Sequence, residues 1–205
     1  MHLDDLTQTD TLGGRLSQPP QNITRGLVLM GGGARTAYQA GVLQALAALI
    51  KPPAGKATAF PFQVLVGTSA GALNATYLAS RAIDGLAALS GLGEFWQGLH
   101  SRWVYHLPDT PMAQFSRWAT ALGVTLSARK QGAALDSMPL VDTLHRRIAL
   151  NNIDLALTRG DLKALAVTAS SYTTGVHWTF CQTHQLASAQ AWNRPGRRAE
   201  LQDIT

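Results

Sequence analysis

The sequence is poor in cysteine and contains no long hydrophobic run. Its single cysteine, Cys181, has no partner for an internal disulfide, and no Cys/His cluster has the spacing of zinc ligands. We therefore predict no disulfide, no metal site and a reducing compartment. No apolar stretch approaches the ~20 residues that a membrane span requires. We expect a cytoplasmic or peripheral membrane protein.

The N-terminus lacks the features of a secretory signal. Three early aspartates are followed by Gly-Gly and Pro-Pro pairs, with no basic start leading into an apolar run. We interpret residues 1–24 as a flexible tail. In a 205-residue chain, a hydrophobic content of 46% is enough to bury one core, so residues 25–205 are predicted to form a single domain.

Charged residues make up only 14% of the chain, with a formal net charge of +5. This excess of positive charge suits an anionic lipid surface and nucleic acid equally well. However, no basic run longer than Arg146-Arg147 or Arg197-Arg198 marks a dedicated patch. We interpret the charge as an ordinary solvated surface and expect no nucleic-acid partner, while contact with a membrane periphery remains compatible with the charge.

Short apolar runs alternate with helical periodicity in the first half of the chain. Residues 26–30 and 62–66 read as buried strands that are each stopped by glycine. The stretch after Thr36 has apolar residues at helical spacing, and residues 70–82 have the small and apolar composition of a second helix. This order predicts an α/β fold in which parallel strands are joined by right-handed crossovers.

The second half of the chain gives weaker signals. Residues 86–131 contain three of the five tryptophans and read as short helices and loops over one end of the sheet. A helix is predicted around residues 140–148, with Ser137 as its N-cap. Two strands follow at residues 162–168 and 176–181. A polar, basic stretch comes next, and because no closing element is evident before Thr205, we interpret the chain as cut short.

The sequence Gly67-Thr68-Ser69-Ala70-Gly71 fits the pattern G-x-S-x-G directly after a strand and before a helix. In that context the sharp turn holds the serine in a strained conformation and exposes its hydroxyl beside a helix N-terminus. Glycines on both sides let neighbouring backbone approach closely. The motif therefore predicts that Ser69 is a nucleophile, against the alternative of a glycine-rich turn without chemistry.

A second glycine-framed loop, Gly31-Gly32-Gly33-Ala34-Arg35, also follows a strand and opens a helix. Its free backbone amides are suited to bind an oxyanion, and neighbouring parallel strands bring such loops to one crevice. The rival interpretation is a degraded dinucleotide fingerprint, G-x-G-x-x-G. It is disfavoured because the third glycine is replaced by Thr36 and because Val66 is followed by Gly67 rather than by an acidic residue.

Together the two loops resemble the patatin-like phospholipase family. Its pattern is G-G-G-x-R-G, a helix, G-x-S-x-G, and a distant D-G-G or D-G-A. Residues 38–43 look like the family's first helix, and residues 135–140 look like its later helix start. The resemblance extends from about Arg25 to the end of the chain. It implies a three-layer α/β/α fold with a mainly parallel central sheet.

The resemblance further implies a serine lipid acyl hydrolase that uses a Ser-Asp dyad and neither a metal nor an organic cofactor. Ser69 would attack an acyl ester, an aspartate would take its proton, and Gly31-Gly32-Gly33-Ala34 would form the oxyanion hole. Gly67 and Gly71 would support the nucleophile turn. Arg35 would hold the loop or meet an anionic head group of the lipid substrate.

Two departures from the family pattern matter. Thr36 stands where the family usually has glycine, and the Asp-Gly-Gly or Asp-Gly-Ala motif is missing. The one Asp-Gly pair, at Asp84, falls fifteen residues after Ser69 on an apparently continuous helix, roughly 22 Å away at ~1.5 Å per residue. We therefore expect the catalytic aspartate to lie beyond Thr205 and the 205-residue chain itself to be inactive or nearly so.

Other candidate bases have ordinary structural explanations. Asp136 and Asp142 flank a helix start, where capping or solvated carboxylates are common. A conventional triad would combine Ser69 with one aspartate and one histidine in the chain order of the α/β-hydrolases. Its candidates are Asp154, Asp161, His177 and His184. His177 alternates with apolar neighbours in an apparent strand, which favours a sheet side chain over a base.

Two broader alternatives accompany the hydrolase hypothesis. The chain is either an active esterase or phospholipase, or a catalytically incomplete family member that acts as a lipid- or partner-binding module. The aromatic segment between Trp96 and Trp118 is a candidate lid or acyl-chain site, because a lipid substrate needs apolar surface beside the nucleophile. A plain hydrophobic core is the competing explanation for these aromatic residues.

Overall fold

The computed structural model describes residues 23–50, 58–99, 138–171, 173–185, 187 and 189–204. In this part of the chain, six strands and five α-helices follow one another in the α/β order that the sequence predicts. The elements are β1 (Gly26–Leu29), α1 (Ala37–Leu49), β2 (Val64–Thr68), α2 (Ala70–Ser80), α3 (Ala87–Gln97), α4 (Met138–Arg147), α5 (Asn151–Arg159), β3 (Ala164–Ser170), β4 (His177–Thr183), β5 (Trp192–Arg194) and β6 (Arg197–Leu201). Short 3-10 helices at Gly33–Thr36 and Ala82–Asp84 precede α1 and follow α2.

The six strands form one sheet in the order β1-β2-β3-β4-β6-β5. The first three strands are parallel to one another, as are β4 and β6, whereas β4 is antiparallel to β3 and β5 is antiparallel to β6. The sheet is therefore mostly parallel, and the predicted α/β class is confirmed. This topology is consistent with the α/β/α fold that the sequence resemblance implies.

The hydrophobic core lies between one face of the sheet and the helices. Leu65 of β2 and Leu165 of β3 are neighbours in register and are fully buried. Leu78 of α2 and Ile153 of α5 are likewise inaccessible to solvent and belong to the same cluster. α2 packs on β2 and β3, so the helix that follows Ser69 is fixed directly to the centre of the sheet.

The β5–β6 hairpin corrects one sequence expectation. We expected a polar, basic stretch without a further structural element, but residues 192–201 add two strands to the sheet. Gly196, with a φ of 71°, supplies the left-handed turn between them. The hairpin was missed because its alternating residues are charged on both faces, so the usual apolar and polar alternation of a strand is absent.

The second helix is also shorter than expected. α2 ends at Ser80, and Arg81 introduces a separate 3-10 turn that contains Asp84. Asp84 therefore does not continue the helix of Ser69, although it still lies at the far end of α2. The predicted N-cap at Ser137, most of the aromatic segment and the N-terminal tail up to residue 22 fall outside the described residues.

No helix in the described part of the chain combines the length and the apolar character needed to cross a membrane.

Candidate active site

Ser69 occupies a strained turn between β2 and α2. Its φ of 54° and ψ of −126° make it the one non-glycine residue with a positive φ in the described part of the chain. The turn is held by two backbone hydrogen bonds: the Ser69 amide donates to the Thr168 carbonyl at 3.0 Å, and the Ser69 carbonyl accepts from Ala72 at 2.8 Å. The side chain is exposed. Strain of this kind persists where the surrounding structure enforces it, and it concentrates at functional sites.

The glycines on either side of this serine are required by close packing. A methyl group added at Gly67 would lie 2.6 Å from Ala72 Cα, and one added at Gly71 would lie 2.6 Å from the Met30 carbonyl oxygen. Real Cβ atoms do not approach backbone this closely. The two glycines thus let α2 cross tightly over the ends of β1 and β2, which is the geometry that turns the Ser69 side chain outward.

The glycine loop lies against this turn. A methyl group added at Gly31 would be 3.0 Å from Ser69 Cβ and 3.7 Å from Ser69 Oγ. The contact follows from the register, because Leu29 at the end of β1 pairs with Gly67 near the end of β2. The structure therefore brings the two predicted loops together at one edge of the sheet. This edge, at the carboxyl ends of β1, β2 and β3, is called the carboxyl edge below.

The loop leaves several backbone amides without protein partners. Gly33 has a φ of 57° and begins a 3-10 helix, so the first amides of that helix have no acceptor behind them. Within the described ranges, the amides of Gly32, Gly33 and Ala34 donate no hydrogen bond to another residue. These donors follow Gly31, the residue of the loop that lies against Ser69.

A buried polar network supports the glycine loop from behind. Asn74 of α2 is inaccessible to solvent, and its side-chain amide donates to the Thr36 carbonyl at 3.2 Å and to Gln39 Oε1 at 3.0 Å. Gln39 Nε2 in turn donates to the Met30 carbonyl at 2.8 Å. Trp96 Nε1 donates to Asn74 Oδ1 at 2.7 Å. Sequence reasoning missed this network, although one asparagine within an otherwise small and apolar helix was the available signal.

The contacts of Thr36 explain why threonine is accepted at the position where the pattern has glycine. Its side chain is buried, and Thr36 Oγ1 donates a hydrogen bond of 2.7 Å to the Gly33 carbonyl. The hydroxyl thus closes the short 3-10 turn that follows the free amides. Arg35, the neighbouring residue, is exposed and has no ion pair with any residue in the described segments.

The aspartates proposed for a conventional triad lie at the opposite edge of the sheet. Asp154 Oδ1 is 2.8 Å from His184 Nε2, and His184 follows the end of β4, which runs antiparallel to β3. Asp161 precedes β3 and pairs with Arg159 at 3.1 Å. The combination of Ser69 with either of these aspartates, or with His184, is therefore wrong, because the sheet separates them.

The remaining candidates are not brought to Ser69 either. Asp84 pairs with Arg81 at 2.6 Å beyond the C-terminal end of α2. Asp142 is exposed on α4, and Asp136 falls outside the described residues. His177 does lie at the carboxyl edge, but its Nδ1 is 2.8 Å from Ser170 Oγ, so its described partner is a different serine.

Cys181 offers no competing nucleophile. It lies within β4, and burial raises the pKa of its thiol. A raised pKa keeps the thiol protonated at neutral pH, and the thiol is much less nucleophilic than the thiolate. Across the described residues, no three His, Cys, Asp or Glu side chains group as metal ligands would.

An apolar concavity of about 290 Å³ borders the carboxyl edge. It is lined by Ala169, Ser170, Ser171, Trp178 and Phe180. The rings of Trp178 and Phe180 stack with their centroids 6.2 Å apart. The first residue that lines the concavity, Ala169, follows Thr168, and the Thr168 carbonyl accepts a hydrogen bond from the Ser69 amide. Apolar surface is therefore present at the carboxyl edge, on β3 and β4.

Comparison with known proteins identifies one protein family. The family model for patatin-like phospholipases matches residues 27–192, a span that includes both the glycine loop and the Ser69 turn. No curated protein and no solved structure matches the chain. The match covers more than half of the sequence.

Proposed function

Because the chain belongs to the patatin-like phospholipase family, we propose that it is a serine-dependent lipid acyl hydrolase with Ser69 as the nucleophile. The family is one of lipid acyl hydrolases, and the assignment of Ser69 as the nucleophile is our proposal. The observation that carries it is the strained Ser69 turn with Gly31 in contact beside it. A nucleophile and a set of free amides thereby share one exposed edge.

In this mechanism Ser69 Oγ attacks the carbonyl carbon of an acyl ester and forms a tetrahedral intermediate. The free amides of Gly32, Gly33 and Ala34 stabilise the negative oxygen, supported by the N-terminal end of α2. Collapse of the intermediate releases the alcohol and leaves an acyl-serine. Water then hydrolyses this acyl-enzyme through the same oxyanion site.

The proton of Ser69 requires a general base. By analogy with the family, we assign this role to an aspartate. The Asp84, Asp154 and Asp161 carboxylates are each engaged by a basic partner away from the carboxyl edge. The proposal therefore assigns the base to a residue outside the described part of the chain.

We propose acyl esters of phospholipids or neutral lipids as substrates. The apolar lining of the concavity at Trp178 and Phe180 supports an acyl chain as the group next to the reacting ester. This differs from the sequence hypothesis of a lid or acyl-chain site between Trp96 and Trp118, which lies mostly outside the described residues and stays a prediction. In the proposed mechanism neither a metal nor an organic cofactor takes part.

A second candidate function is a lipid- or partner-binding module without turnover. It is favoured by one observation: none of the aspartates named as candidates in the described residues accompanies Ser69. Such a protein would retain the fold and the oxyanion site but would lack general-base assistance, which is worth roughly a hundred- to ten-thousandfold in rate.

Labelling with a fluorophosphonate probe distinguishes the two functions. Covalent labelling and hydrolysis of a short-chain ester are expected for the hydrolase. In Ser69→Ala, labelling should disappear and the rate should fall at least about a thousandfold, equivalent to about 4 kcal/mol of transition-state stabilisation. Ser90→Ala is the control, because Ser90 is an exposed serine of α3 that has no part in the proposed site.

Retained labelling in Ser69→Ala would exclude Ser69 as the nucleophile. A folded wild-type protein that neither reacts with the probe nor hydrolyses esters would support the binding module instead.

A further inference from the structure

The carboxyl edge extends well beyond the nucleophile. Thr68 pairs with Thr168 of β3, Ser170 pairs with His177 of β4, and His177 pairs with Arg197 of β6. The start of β6 therefore lies at the same edge as the end of β2. Three strand spacings of ~4.8 Å separate β2 from β6, which puts the Arg197 backbone roughly 15 Å from that of Ser69.

This edge carries a group of exposed arginines. Arg194 and Arg197 are cross-strand neighbours on either side of the Pro195-Gly196 turn, and Arg198 follows. All three side chains are exposed and have no ion pair with any residue in the described ranges. Arg35, on the glycine loop, is a fourth arginine with the same properties.

The opposite edge of the sheet carries carboxylates that are paired with basic side chains. The three described ion pairs, Arg81–Asp84, Arg159–Asp161 and His184–Asp154, all lie there. Glu200, the carboxylate of the hairpin, is inside β6 opposite Phe180 rather than at the turn. The described arginines of the edge that carries Ser69 are thus not paired with carboxylates, although the sequence contains no basic run longer than two residues.

The hairpin also presents an aromatic side chain beside these cations. Trp192 is 42% exposed, and the Arg194 guanidinium lies 5.6 Å from the centre of its ring. Residues 192 and 194 share one face of β5, because side chains alternate along a strand. Tryptophan with arginine is a combination suited to a membrane interface, where the ring enters the head-group region and the cation meets phosphate.

We propose that the β5–β6 hairpin binds an anionic lipid surface and thereby turns the carboxyl edge, with Ser69, toward the bilayer. This inference rests on the proposed function: a membrane is chosen over other polyanions because the proposed substrate is a lipid. In this arrangement Arg194 and Arg197 contact lipid phosphates while the ester bonds lie within reach of the nucleophile. The orientation would keep the enzyme at its substrate between turnovers.

The test is vesicle co-sedimentation of the Ser69→Ala protein, which removes hydrolysis from the measurement. Vesicles of phosphatidylcholine with phosphatidylglycerol should bind the protein, and vesicles of phosphatidylcholine alone should bind it much less. Arg194→Gln/Arg197→Gln should weaken binding about thirtyfold, since each arginine near an anionic surface contributes about fivefold. Trp192→Ala should weaken it without changing the charge.

The matched control is Arg25→Gln/Arg159→Gln, which removes the same charge from the opposite edge. Arg25 precedes β1 and Arg159 precedes β3. This variant should bind almost as well as the parent protein, and circular dichroism should show both double variants to be folded. Equal weakening by the two double variants would overturn the proposal in favour of unspecific attraction.

Two further outcomes would also contradict the proposal. One is the absence of binding to the anionic vesicles. The other is tighter binding to a DNA duplex than to vesicles through the same arginines.

Because the assay uses the Ser69→Ala protein, its outcome is independent of turnover. Failure of fluorophosphonate labelling would refute the proposed nucleophile. The proposed membrane-binding hairpin would still be tested by the sedimentation assay.

Discussion

Trp96 donates its indole N–H to Asn74 Oδ1 at 2.7 Å, and this bond connects α3 to α2, the helix that follows Ser69. The Asn74 amide donates in turn to Thr36 and Gln39 at the start of α1. A single buried side chain therefore joins three segments behind the glycine loop. Buried networks of this kind stabilise a unique arrangement only when every member is satisfied.

We predict that Asn74→Leu lowers the free energy of unfolding by about 2–6 kcal/mol. The substitution keeps the number and branching of the side-chain heavy atoms but removes the partner of the Trp96 N–H and of the Thr36 carbonyl, at about 1–3 kcal/mol for each buried unsatisfied group. Urea denaturation measures the change. Trp96→Phe removes the indole donor and part of the ring but leaves the bonds of Asn74 to Thr36 and Gln39 in place, so it should cost less. An Asn74→Leu variant as stable as the parent would show that the network is not stabilising.

The crossing of α2 over β1 leads to a second prediction. Gly71→Ala should destabilise the protein by more than about 3 kcal/mol or prevent folding, because the new methyl group would contact the Leu29 and Met30 carbonyls below van der Waals distance. Thermal unfolding or the soluble yield reports the effect.

Gly41→Ala provides the control for this substitution. Gly41 lies within α1, and a methyl group there meets nothing within 4 Å. Alanine should stabilise the helix by about 1 kcal/mol through its higher helix propensity. Similar responses of the two variants would mean that general glycine effects, rather than close packing, determine the outcome at Gly71.

The parts of the fold predicted correctly are those governed by local pattern. The strands around Leu65 and Leu165 are short apolar runs, and a buried strand of a parallel sheet has this appearance whatever surrounds it. The strand predicted at residues 26–30 also forms, but the expectation that it is buried was wrong, because β1 lies at the edge of the sheet and Val28 is 69% exposed. The two glycine motifs were recognised for the same reason, since their turn chemistry depends on neighbouring residues. The assignments of Ser69 and of the oxyanion amides remain predictions about chemistry.

The parts that were missed depend on residues distant in the sequence. Asn74 bonds to Thr36, 38 residues earlier, and to Trp96, 22 residues later, and no local pattern relates these positions. The β5–β6 hairpin was missed for a different reason. Its strands are charged and lack the alternation of apolar and polar residues that identifies a strand in a sequence, and they are stabilised by the pairing of β6 with β4. The pairing of Asp154 with His184, away from Ser69, likewise follows from the antiparallel direction of β4.

The strain at Ser69 predicts a separation of stability from activity. Its φ of 54° is unfavourable for any residue with a Cβ atom and acceptable for glycine. Ser69→Gly should therefore be about 1 kcal/mol more stable than Ser69→Ala, although both variants lack the nucleophile and neither should react with a fluorophosphonate. Urea midpoints compare the two variants. Equal stability, or a less stable glycine variant, would indicate that the turn is not strained.

The last prediction concerns the left-handed residue of the glycine loop. Gly33 has a φ of 57°, and a methyl group there would have no neighbour within 4 Å, so backbone conformation rather than space limits substitution. Gly33→Val should reduce the rate of Ser69 labelling at least about a hundredfold, because a β-branched residue resists this φ and turns the loop amides away from the oxyanion. Asparagine tolerates the left-handed region, so Gly33→Asn should retain much more of the labelling rate than Gly33→Val. Probe-labelling kinetics, compared at equal folded fraction, measure both variants. If valine and asparagine reduce labelling equally, the conformation of Gly33 does not control the oxyanion site, and if neither reduces it, the loop has no part in the reaction.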